Sequence, residues 1–288
     1  AAGKGTRMQS ELPKVLHKVA GAPMLVHAMR AGRALEPKRT IIVAGHGFEA
    51  VSAAARTEDP DVEIAVQEAQ LGTGHAVDQA RDALGDFDGT VLVLYGDCPL
   101  IQTRTLEELT ATLNDSAVSV LGFEAKDPAR YGRLITDGDK LKRIVEFKDA
   151  SPEEIAVTLC NSGVMAAPAH LLFDLLSEID TDNASGELYL TDVVRKAVAR
   201  GLQCAAVRCA ERETLGVNSR VELMQAEKEF QNLRRAVALE DGVSMPAPET
   251  VHFSYDTVIG RDAIIEQNVV FGPGVTVESG AQIRAFSH

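Results

Sequence analysis

The stretch TVLVLYGDCPL, residues 90–100, combines a buried strand with a polar turn. Its first six residues are apolar, β-branched or aromatic, a composition typical of a strand covered on both faces. Gly96 and Asp97 follow directly, and Pro99 comes two residues later. An aspartate at the carboxyl end of such a strand lies where α/β sheets bind their ligands. The stretch therefore predicts an α/β fold with a ligand site at Asp97.

The sequence around this stretch alternates short apolar strands with helical segments. Further strands are predicted at residues 40–44, 62–66, 118–123 and 205–208. Helices are predicted at residues 23–35, 74–84, 106–113, 171–179 and 188–200. Since helical crossovers join parallel strands, this order predicts a mixed, mostly parallel sheet. Residues 132–147 depart from the alternation, because the turn signal Asp137-Gly138-Asp139 predicts an antiparallel hairpin there.

A long helix is predicted after the α/β part. Ser219 is a good N-cap, and Glu222 three residues later completes the pattern of a capping box. Charged and apolar residues alternate at helical period to about Leu239, and Asp241-Gly242 then ends the helix.

The last thirty residues repeat with a period of six. Large apolar residues recur at Ile259, Ile265, Phe271, Val277 and Ile283. This period is typical of a hexapeptide parallel β-helix, in which each hexad forms one flat side of a coil. We therefore expect an α/β domain at residues 1–220, a helical linker at 221–241 and the start of a solenoid at 242–288.

Composition excludes several classes of protein. The 288 residues carry 29 Lys and Arg against 42 Asp and Glu, a net charge of −13. A surplus of acidic residues argues against a protein that coats nucleic acid or an anionic membrane. No apolar run approaches the roughly 20 residues that a membrane span requires. The four cysteines form no Cys-x-x-Cys pair, so we expect no disulfide framework or structural zinc and a reducing cytoplasm.

The opening AAGKGTRM, residues 1–8, is glycine-rich and basic. The first 18 residues contain only one acidic residue, Glu11, and four basic ones, Lys4, Arg7, Lys14 and Lys18. Glycines let backbone N–H groups approach a phosphate, and the cations neutralise its charge. The spacing fits neither a P-loop nor a dinucleotide fingerprint. A phosphate-binding loop and a solvated Gly/Lys loop both remain open.

Two further loops have the composition of ligand sites. Residues 67–75, QEAQLGTGH, follow a strand and begin a helix, so the backbone of Gly72 and Thr73 could contact a planar ligand. Gln67 could pair with the amide edge of a base. Asp97 suits Mg²⁺, which binds one or two protein oxygens and completes its octahedron with phosphates and water. Ordinary loops are the alternative for both segments.

In this order the motifs resemble one family, the bacterial bifunctional N-acetylglucosamine-1-phosphate uridyltransferases/glucosamine-1-phosphate acetyltransferases. The resemblance runs from residue 1 to the end of the chain. The motifs that carry it are AAGKGTRM (1–8), LPKVL (12–16), QLGTGH (70–75), YGD (95–97), YGR (131–133), VEFKDA (145–150), NSG (161–163) and GVN (216–218). The family commonly has Asn-Thr-Gly where this chain has NSG, a change that keeps the amide and the glycine.

The resemblance implies a Rossmann-like nucleotidyltransferase domain, a helical arm and a left-handed parallel β-helix. It also implies a Mg²⁺-dependent reaction of UTP with N-acetylglucosamine 1-phosphate that yields UDP-N-acetylglucosamine and pyrophosphate. Because the sugar phosphate is already an oxyanion nucleophile, this chemistry needs cations and positioning rather than a general base.

The resemblance also assigns roles to residues of this chain. Arg7, Lys14 and Asp97 would be catalytic, with both cations stabilising charge on the triphosphate. Asp97 and Asn218 would ligate Mg²⁺, and Lys14 and Asp97 would also contact substrate. The groups around the uridine and phosphates would be the backbone of Ala1, Ala2 and Gly3 together with Gln67, Gly72 and Thr73. The groups around the sugar nucleotide would be Tyr95, Gly96, Gly132, Glu146, Asn161 and Asn218.

Two other functions remain open at this stage. The chain could be a nucleotidyltransferase for another sugar 1-phosphate, or a non-catalytic subunit that binds a sugar nucleotide. Intact Lys14, Asp97 and Asn218 disfavour the non-catalytic subunit.

The ends of the sequence carry expectations of their own. We expect a strand before Ala1, because the chain begins inside the glycine-rich loop. Five hexads make fewer than two coils, so we expect their apolar residues to have little to pack on. The family's acetyltransferase sites lie in later coils, between subunits of a homotrimer. We therefore expect no acetyl transfer by this segment and weak or absent association.

Overall fold

The computed structural model describes residues 5–288. Its helices are α1 (Met24–Arg33), α2 (Phe48–Glu58), α3 (Thr73–Asp78), α4 (Arg81–Leu84), α5 (Thr103–Ala111), α6 (Pro152–Ile155), α7 (Ala169–Leu176), α8 (Asp192–Ala199) and α9 (Arg220–Glu240). Its strands are β1 (Lys18–Val19), β2 (Ala22–Pro23), β3 (Ile41–Ala44), β4 (Glu63–Val66), β5 (Thr90–Val93), β6 (Val118–Glu124), β7 (Arg133–Asp137), β8 (Lys140–Val145), β9 (Leu159–Pro168), β10 (Cys204–Cys209), β11 (Val258–Ile259), β12 (Ile264–Ile265), β13 (Thr276–Val277) and β14 (Gln282–Ile283). Within this range, no helix combines the length and the apolar character needed to cross a membrane.

A six-stranded sheet forms the centre of the α/β part. Its strands lie in the order β5-β9-β6-β10-β8-β7. Strands β3 and β4 form a separate parallel pair. All five strands predicted from the alternating pattern are present, and the predicted hairpin is formed by β7 and β8 with Gly138 and Asp139 at its turn.

The prediction of a mostly parallel sheet is wrong for the six-stranded sheet. Among the described strands of the six-stranded sheet, only β6 and β10 pair in parallel. Strand β9 lies antiparallel between β5 and β6, and β8 lies antiparallel beside β10. The sequence pattern missed β9 because its first half contains Asn161 and Gly163 and its second half is rich in alanine, residues that are depleted in strands.

The largest apolar cluster lies between this sheet and helices α7 and α8. It joins Val120 and Met165 of the sheet to Leu172 and Val193 of the two helices. Helices α1, α5, α7 and α8 fall within or close to the predicted segments. The helix predicted at residues 74–84 is instead divided into α3 and α4. At the break, the side-chain amide of Gln79 donates to the backbone carbonyl of His75 in α3.

Helix α9 begins and ends as predicted, but its capping box is only half formed. The Ser219 hydroxyl accepts the N–H of Glu222 at 3.3 Å, which is the expected N-cap bond. A capping box would also direct the Glu222 carboxylate to the N–H of Ser219. That carboxylate instead accepts the N–H of Asn218 at 2.6 Å.

Residues 242–288 wind into coils with a period of eighteen positions, or three hexads. Val258 pairs in parallel with Thr276, and Ile264 pairs in parallel with Gln282. The predicted hexad residues face the interior of the coil, where Ile265 is fully buried. The hexad pattern therefore predicted the direction in which these side chains point.

The expectation that the hexad residues have little to pack on is wrong. Val251 and Phe253 precede the predicted repeat and belong to the same buried cluster, which Ala238 of α9 covers from the side. Phe253 lies one hexad before Ile259, so the repeat begins earlier than predicted. The prolines at 246 and 248 lie just before this hexad and interrupt the apolar pattern there.

Phe253→Ala should destabilise the protein by about 3–5 kcal/mol, because it empties a buried aromatic site. The Phe253 ring is 3% exposed and lies 5.7 Å from the ring centroid of Phe271. Urea unfolding followed by far-UV circular dichroism measures the change. The control is Phe286→Ala at a side chain that is 74% exposed, which should stay within about 0.5 kcal/mol. If Phe253→Ala also changed the free energy of unfolding by no more than about 0.5 kcal/mol, the first coil would not be part of the core.

Candidate active site

Two loops bring Asp97 and Asn218 together although they lie far apart in the sequence. Asp97 follows β5, and Asn218 directly precedes the N-cap of α9. The N–H of Val217 donates to the backbone carbonyl of Asp97 at 2.9 Å, which ties the two loops to each other. The ammonium group of Lys14 contacts the Asp97 carboxylate and donates to Asn218 Oδ1 at 3.0 Å. Three predicted site residues therefore converge on one point.

The Lys14–Asp97 ion pair is partly buried but open to solvent on one side. The two side chains are 15% and 16% exposed. Gly5 allows the glycine-rich loop to pack against the stem of Lys14, since a Cβ on Gly5 would lie 2.6 Å from the Lys14 Cβ. The φ of Gly5 is also +59°, a region that other residues rarely adopt. A close packing of loop and side chain thus directs the ammonium group toward Asp97.

The oxygen atoms around the Lys14 ammonium fit a magnesium ion. A carboxylate from Asp97 and an amide oxygen from Asn218 converge on one positive charge. Mg²⁺ binds such oxygen ligands and keeps its remaining positions for phosphate and water. Within residues 5–288, no three or more His, Cys, Asp or Glu side chains are grouped closely enough to hold a metal ion. The donor set therefore suits an ion that is shared with a phosphorylated substrate.

Tyr95 forms the wall of the site beside Asp97. Its hydroxyl hydrogen-bonds to the side chain of Thr73, and its ring lies against Gly163, where a Cβ would be 2.6 Å from the ring. Burial raises the pKa of the Tyr95 phenol, and the negative charges of Asp97 and Glu146 raise this pKa further. The phenol is therefore neutral at physiological pH.

Gly132, Glu146 and Asn161 lie together at one end of the hairpin. The carbonyl of Gly132 accepts the N–H of Asn161 at 2.8 Å. A Cβ on Gly132 would lie 3.4 Å from Glu146 Oε2, so the glycine leaves one face of the carboxylate uncovered. Burial raises the pKa of Glu146, and the hydroxyl of Thr191, which donates to Glu146 Oε1 at 3.2 Å, opposes that shift. These groups can accept hydrogen bonds from a polar ligand and donate hydrogen bonds to it.

Gln67 and Gly72 shape the loop between β4 and α3. The buried amide nitrogen of Gln67 donates to the carbonyl of Gly72 at 3.2 Å and lies 3.0 Å from His75 Nδ1. Gly72 has a φ of +120°, and a Cβ there would lie 2.5 Å from the carbonyl oxygen of Leu188. The loop therefore uses the Gln67 amide nitrogen internally, so recognition of a base by this side chain would depend on the amide oxygen.

The remaining predicted residues are less closely connected. Arg7 is exposed in a short 3₁₀ turn and forms no ion pair with any residue from 5 to 288. Gly96 is buried between Tyr95 and Asp97. The predicted residues Ala1, Ala2 and Gly3 lie outside the described residues.

Sequence reasoning missed several side chains that support these groups. His75 is the last residue of the QLGTGH motif, but nothing in the sequence indicated its contact with Gln67. Thr191 carried no signal at all. Glu222 was predicted as a capping residue, so the pattern identified the correct side chain and assigned it the wrong partner. Arg220 was also missed; it donates to the carbonyl of Met8 at 3.3 Å, which links α9 to the loop that carries Lys14.

A family comparison accounts for the α/β part. The profile of the MobA-like NTP transferase domain matches residues 1–186. This chain belongs to the MobA-like NTP transferase domain family. The matched range of the NTP transferase domain contains every predicted site residue except Asn218, which lies on the loop before α9.

Curated relatives match the NTP transferase domain and the segments that follow it. Two proteins described as Bifunctional protein GlmU, from Roseobacter denitrificans and Cereibacter sphaeroides, are 61% and 62% identical over 288 residues, the whole of this chain. The chain spans 64% and 63% of the lengths of these two relatives. The resemblance inferred from the motifs is therefore confirmed.

Solved structures share the fold of the NTP transferase domain. An apo UDP-glucose pyrophosphorylase matches with a TM-score of 0.66 at 17% identity and covers 81% of this chain and 97% of that chain. A putative glucose-1-phosphate thymidylyltransferase from Bacillus anthracis matches with a TM-score of 0.62 at 21% identity, over 80% of this chain and 92% of that chain. These likenesses confirm the predicted Rossmann-like α/β nucleotidyltransferase fold.

Glu146→Gln should raise the unfolding temperature at pH 7.5. A carboxyl group whose pKa is raised by burial destabilises the fold once it ionises, and glutamine keeps the shape without the charge. The gain should shrink as the pH falls and vanish below about 4.5, where the carboxyl group is protonated in both the folded and the unfolded protein. Thermal unfolding between pH 4.5 and 8 measures it. The control Glu107→Gln, at an exposed position on α5, should show no such pH-dependent difference. A gain that does not depend on pH would contradict the assignment.

Proposed function

We propose that this chain transfers the uridylyl group of UTP to N-acetylglucosamine 1-phosphate and releases pyrophosphate. The observation that carries the proposal is the convergence of Lys14, Asp97 and Asn218 beside Tyr95 and Glu146. Membership of the NTP transferase family and the similarity to proteins named Bifunctional protein GlmU support it. Because the chain spans only 64% of the length of such a relative, the proposal covers this reaction and no second activity.

The proposed reaction is an attack of one phosphate oxygen on another phosphate group. An oxygen of the sugar phosphate bonds to the α-phosphorus of UTP, the bond from this phosphorus to the bridging oxygen breaks, and pyrophosphate leaves with both bonding electrons. The nucleophile is already ionised, so no protein group has to remove a proton. The protein then contributes positioning of the two substrates and positive charge around the phosphates.

Lys14 supplies one of those positive charges. Its ammonium group is held at the mouth of the site by Asp97 and Asn218, and the pair is open to solvent on one side. A triphosphate bound at the glycine-rich loop would compete with Asp97 for this ammonium group. Arg7, exposed on the same loop, would supply a second charge.

Asp97 and Asn218 would hold Mg²⁺ through a carboxylate and an amide oxygen. The ion would neutralise charge on the α-phosphate and on the departing pyrophosphate. The two loops that carry these residues are joined by the bond between Val217 and the Asp97 carbonyl. The protein would therefore present both ligands from a connected pair of loops.

The sugar would bind between Tyr95 and the hairpin. The Glu146 carboxylate has one face left open by Gly132 and can accept a hydrogen bond from a sugar hydroxyl. The neutral Tyr95 phenol packs as a flat wall against Gly163, whose N–H donates to the amide oxygen of Asn161 at 3.0 Å. Partly buried polar groups of this kind discriminate against ligands that leave them unpaired.

We also propose a division of the chain into three parts. Residues 1–220 would form the nucleotidyltransferase domain, residues 221–241 a helical linker, and residues 242–288 the beginning of a left-handed parallel β-helix. The parallel pairing of strands eighteen positions apart supports the last part.

A substrate matrix tests the proposed function. Pyrophosphate release is measured with the four common nucleoside triphosphates, each paired with N-acetylglucosamine 1-phosphate, glucosamine 1-phosphate or glucose 1-phosphate. The highest kcat/KM is expected for UTP with N-acetylglucosamine 1-phosphate. A clear preference for another pair would make the chain a different sugar-1-phosphate nucleotidyltransferase. Binding of UDP-sugar without turnover would make it a non-catalytic subunit.

Lys14→Ala should lower kcat by about 100- to 1,000-fold, the usual effect of removing one group that stabilises charge in the transition state. Steady-state pyrophosphate release measures the loss, which should far exceed the change in unfolding temperature, because alanine keeps the Cβ that packs on Gly5 and the Asp97 carboxylate stays partly open to solvent. The matched control is Lys18→Ala at an exposed position on the same segment, which should keep wild-type turnover. Wild-type turnover in folded Lys14→Ala protein would refute the role of Lys14.

Removal of divalent metal with EDTA should abolish nucleotidyl transfer, and Mg²⁺ should restore it. Asp97→Asn should raise the Mg²⁺ concentration needed for half-maximal rate steeply, because it removes the formal negative charge of the site and keeps its shape. A Mg²⁺ titration of rate for both proteins measures the shift. If Asp97→Asn titrates as the wild type does, Asp97 is not a ligand.

A further inference from the structure

The first turn of α9 makes a hydrogen bond that helix capping does not require. The Ser219 hydroxyl already accepts the N–H of Glu222, so the helix has its N-cap. The Glu222 carboxylate reaches past Ser219 to the N–H of Asn218, at 2.6 Å. The Glu222 carboxylate therefore stabilises the loop that precedes the helix rather than the helix itself.

Asn218 is held at both its backbone and its side chain. Its N–H is bound by Glu222, and its side-chain nitrogen donates to the carbonyl of Gly216 at 3.2 Å. Because the nitrogen is used in this way, the amide oxygen is the atom that accepts the hydrogen bond from Lys14. The orientation of this amide follows from the surrounding hydrogen bonds, which is how the two ends of an asparagine amide are distinguished.

We propose that Glu222 is a positioning residue for the active site, because it fixes the backbone of Asn218 and so aims the Asn218 amide oxygen at the Lys14 ammonium group, which also contacts Asp97. This inference rests on the proposed function of the site. A hydrogen bond from a backbone N–H to a carboxylate is about twice as strong as one between neutral groups. A misplacement of about 1 Å in a catalytic constellation can cost on the order of 100-fold in rate. A single bond at Asn218 can therefore control turnover without any contact between Glu222 and substrate.

Two substitutions in the same turn separate positioning from helix capping. Glu222→Ala removes the acceptor for the Asn218 N–H but leaves the Ser219 hydroxyl and the Glu222 backbone N–H in place. Ser219→Ala removes the N-cap bond but leaves the carboxylate of Glu222. A third variant, Glu222→Gln, replaces the carboxylate with an amide oxygen that can still accept the bond. Any general weakening of the helix start should therefore be seen in Ser219→Ala as well.

The kinetic arm uses the full chain with UTP, N-acetylglucosamine 1-phosphate and Mg²⁺. Glu222→Ala should lower kcat by about 10- to 100-fold with KM values within threefold of wild type. Glu222→Gln should recover kcat to within about fivefold of wild type. Ser219→Ala should lower the unfolding temperature by a few degrees and keep kcat within twofold. The proposal is overturned if Glu222→Ala has the same kcat as Ser219→Ala. It is also overturned if the kcat of Glu222→Gln is no higher than that of Glu222→Ala.

The second arm measures the bond without any turnover. Hydrogen exchange at the Asn218 amide, read at single-residue resolution, should be faster in Glu222→Ala and unchanged in Ser219→Ala. Unchanged exchange at Asn218 in Glu222→Ala would overturn the proposal whatever the kinetics. If the wild type fails to react in the substrate matrix, the proposed function fails by itself, and this exchange measurement still decides whether Glu222 holds Asn218.

Discussion

The ammonium group of Lys14 lies between a carboxylate and an amide oxygen, and the three groups come from distant parts of the chain. Asp97 follows a strand of the central sheet, Asn218 precedes the long helix, and Lys14 belongs to the loop at the start of the chain. Each of these groups would be poorly placed without the others, since a partly buried charge needs a partner. The contact therefore links the sheet, the helix and the glycine-rich loop through one positive charge. The proposed chemistry uses the same ammonium group of Lys14 and the same carboxylate of Asp97.

The polar walls of the site depend on glycines that let backbone and side chains approach closely. Gly163 adopts a φ of +88° and lets the Tyr95 ring pack against the backbone of β9. Gly132 leaves one face of the Glu146 carboxylate open at the other end of the same wall. The cost of this arrangement is a partly buried carboxyl group whose pKa is raised. Functional sites commonly retain such locally unfavourable groups, because the rest of the fold compensates for them.

The sequence could predict the parts of the site that follow local rules. Asp97 was found because a buried strand places its carboxyl end at a ligand edge, and the capping pattern located the start of α9 to the residue. The strand β9 was not found, because its pairing is decided by two neighbouring strands rather than by its own alanine-rich composition. The partner of Glu222 was not found either, since a one-residue change of donor, from the N–H of Ser219 to that of Asn218, depends on how the loop at Asn218 enters the helix. Local patterns thus located the elements, and tertiary contacts decided their partners.

Helix α9 connects the site to the coil by contacts along its whole length of about 31 Å. Near its middle, Glu227 accepts the N–H of Ala20 at 2.6 Å, on the turn that follows the Lys14 loop. One turn later, Gln231 exchanges two hydrogen bonds with the backbone of Phe253, both at 2.8 Å. The first coil and the turn after the Lys14 loop are therefore bound to successive turns of one continuous helix whose first turn holds Asn218. Because a helix transmits displacement as a rigid element, the apolar core around Phe253 also supports the geometry at Asn218, although it touches none of the proposed substrates.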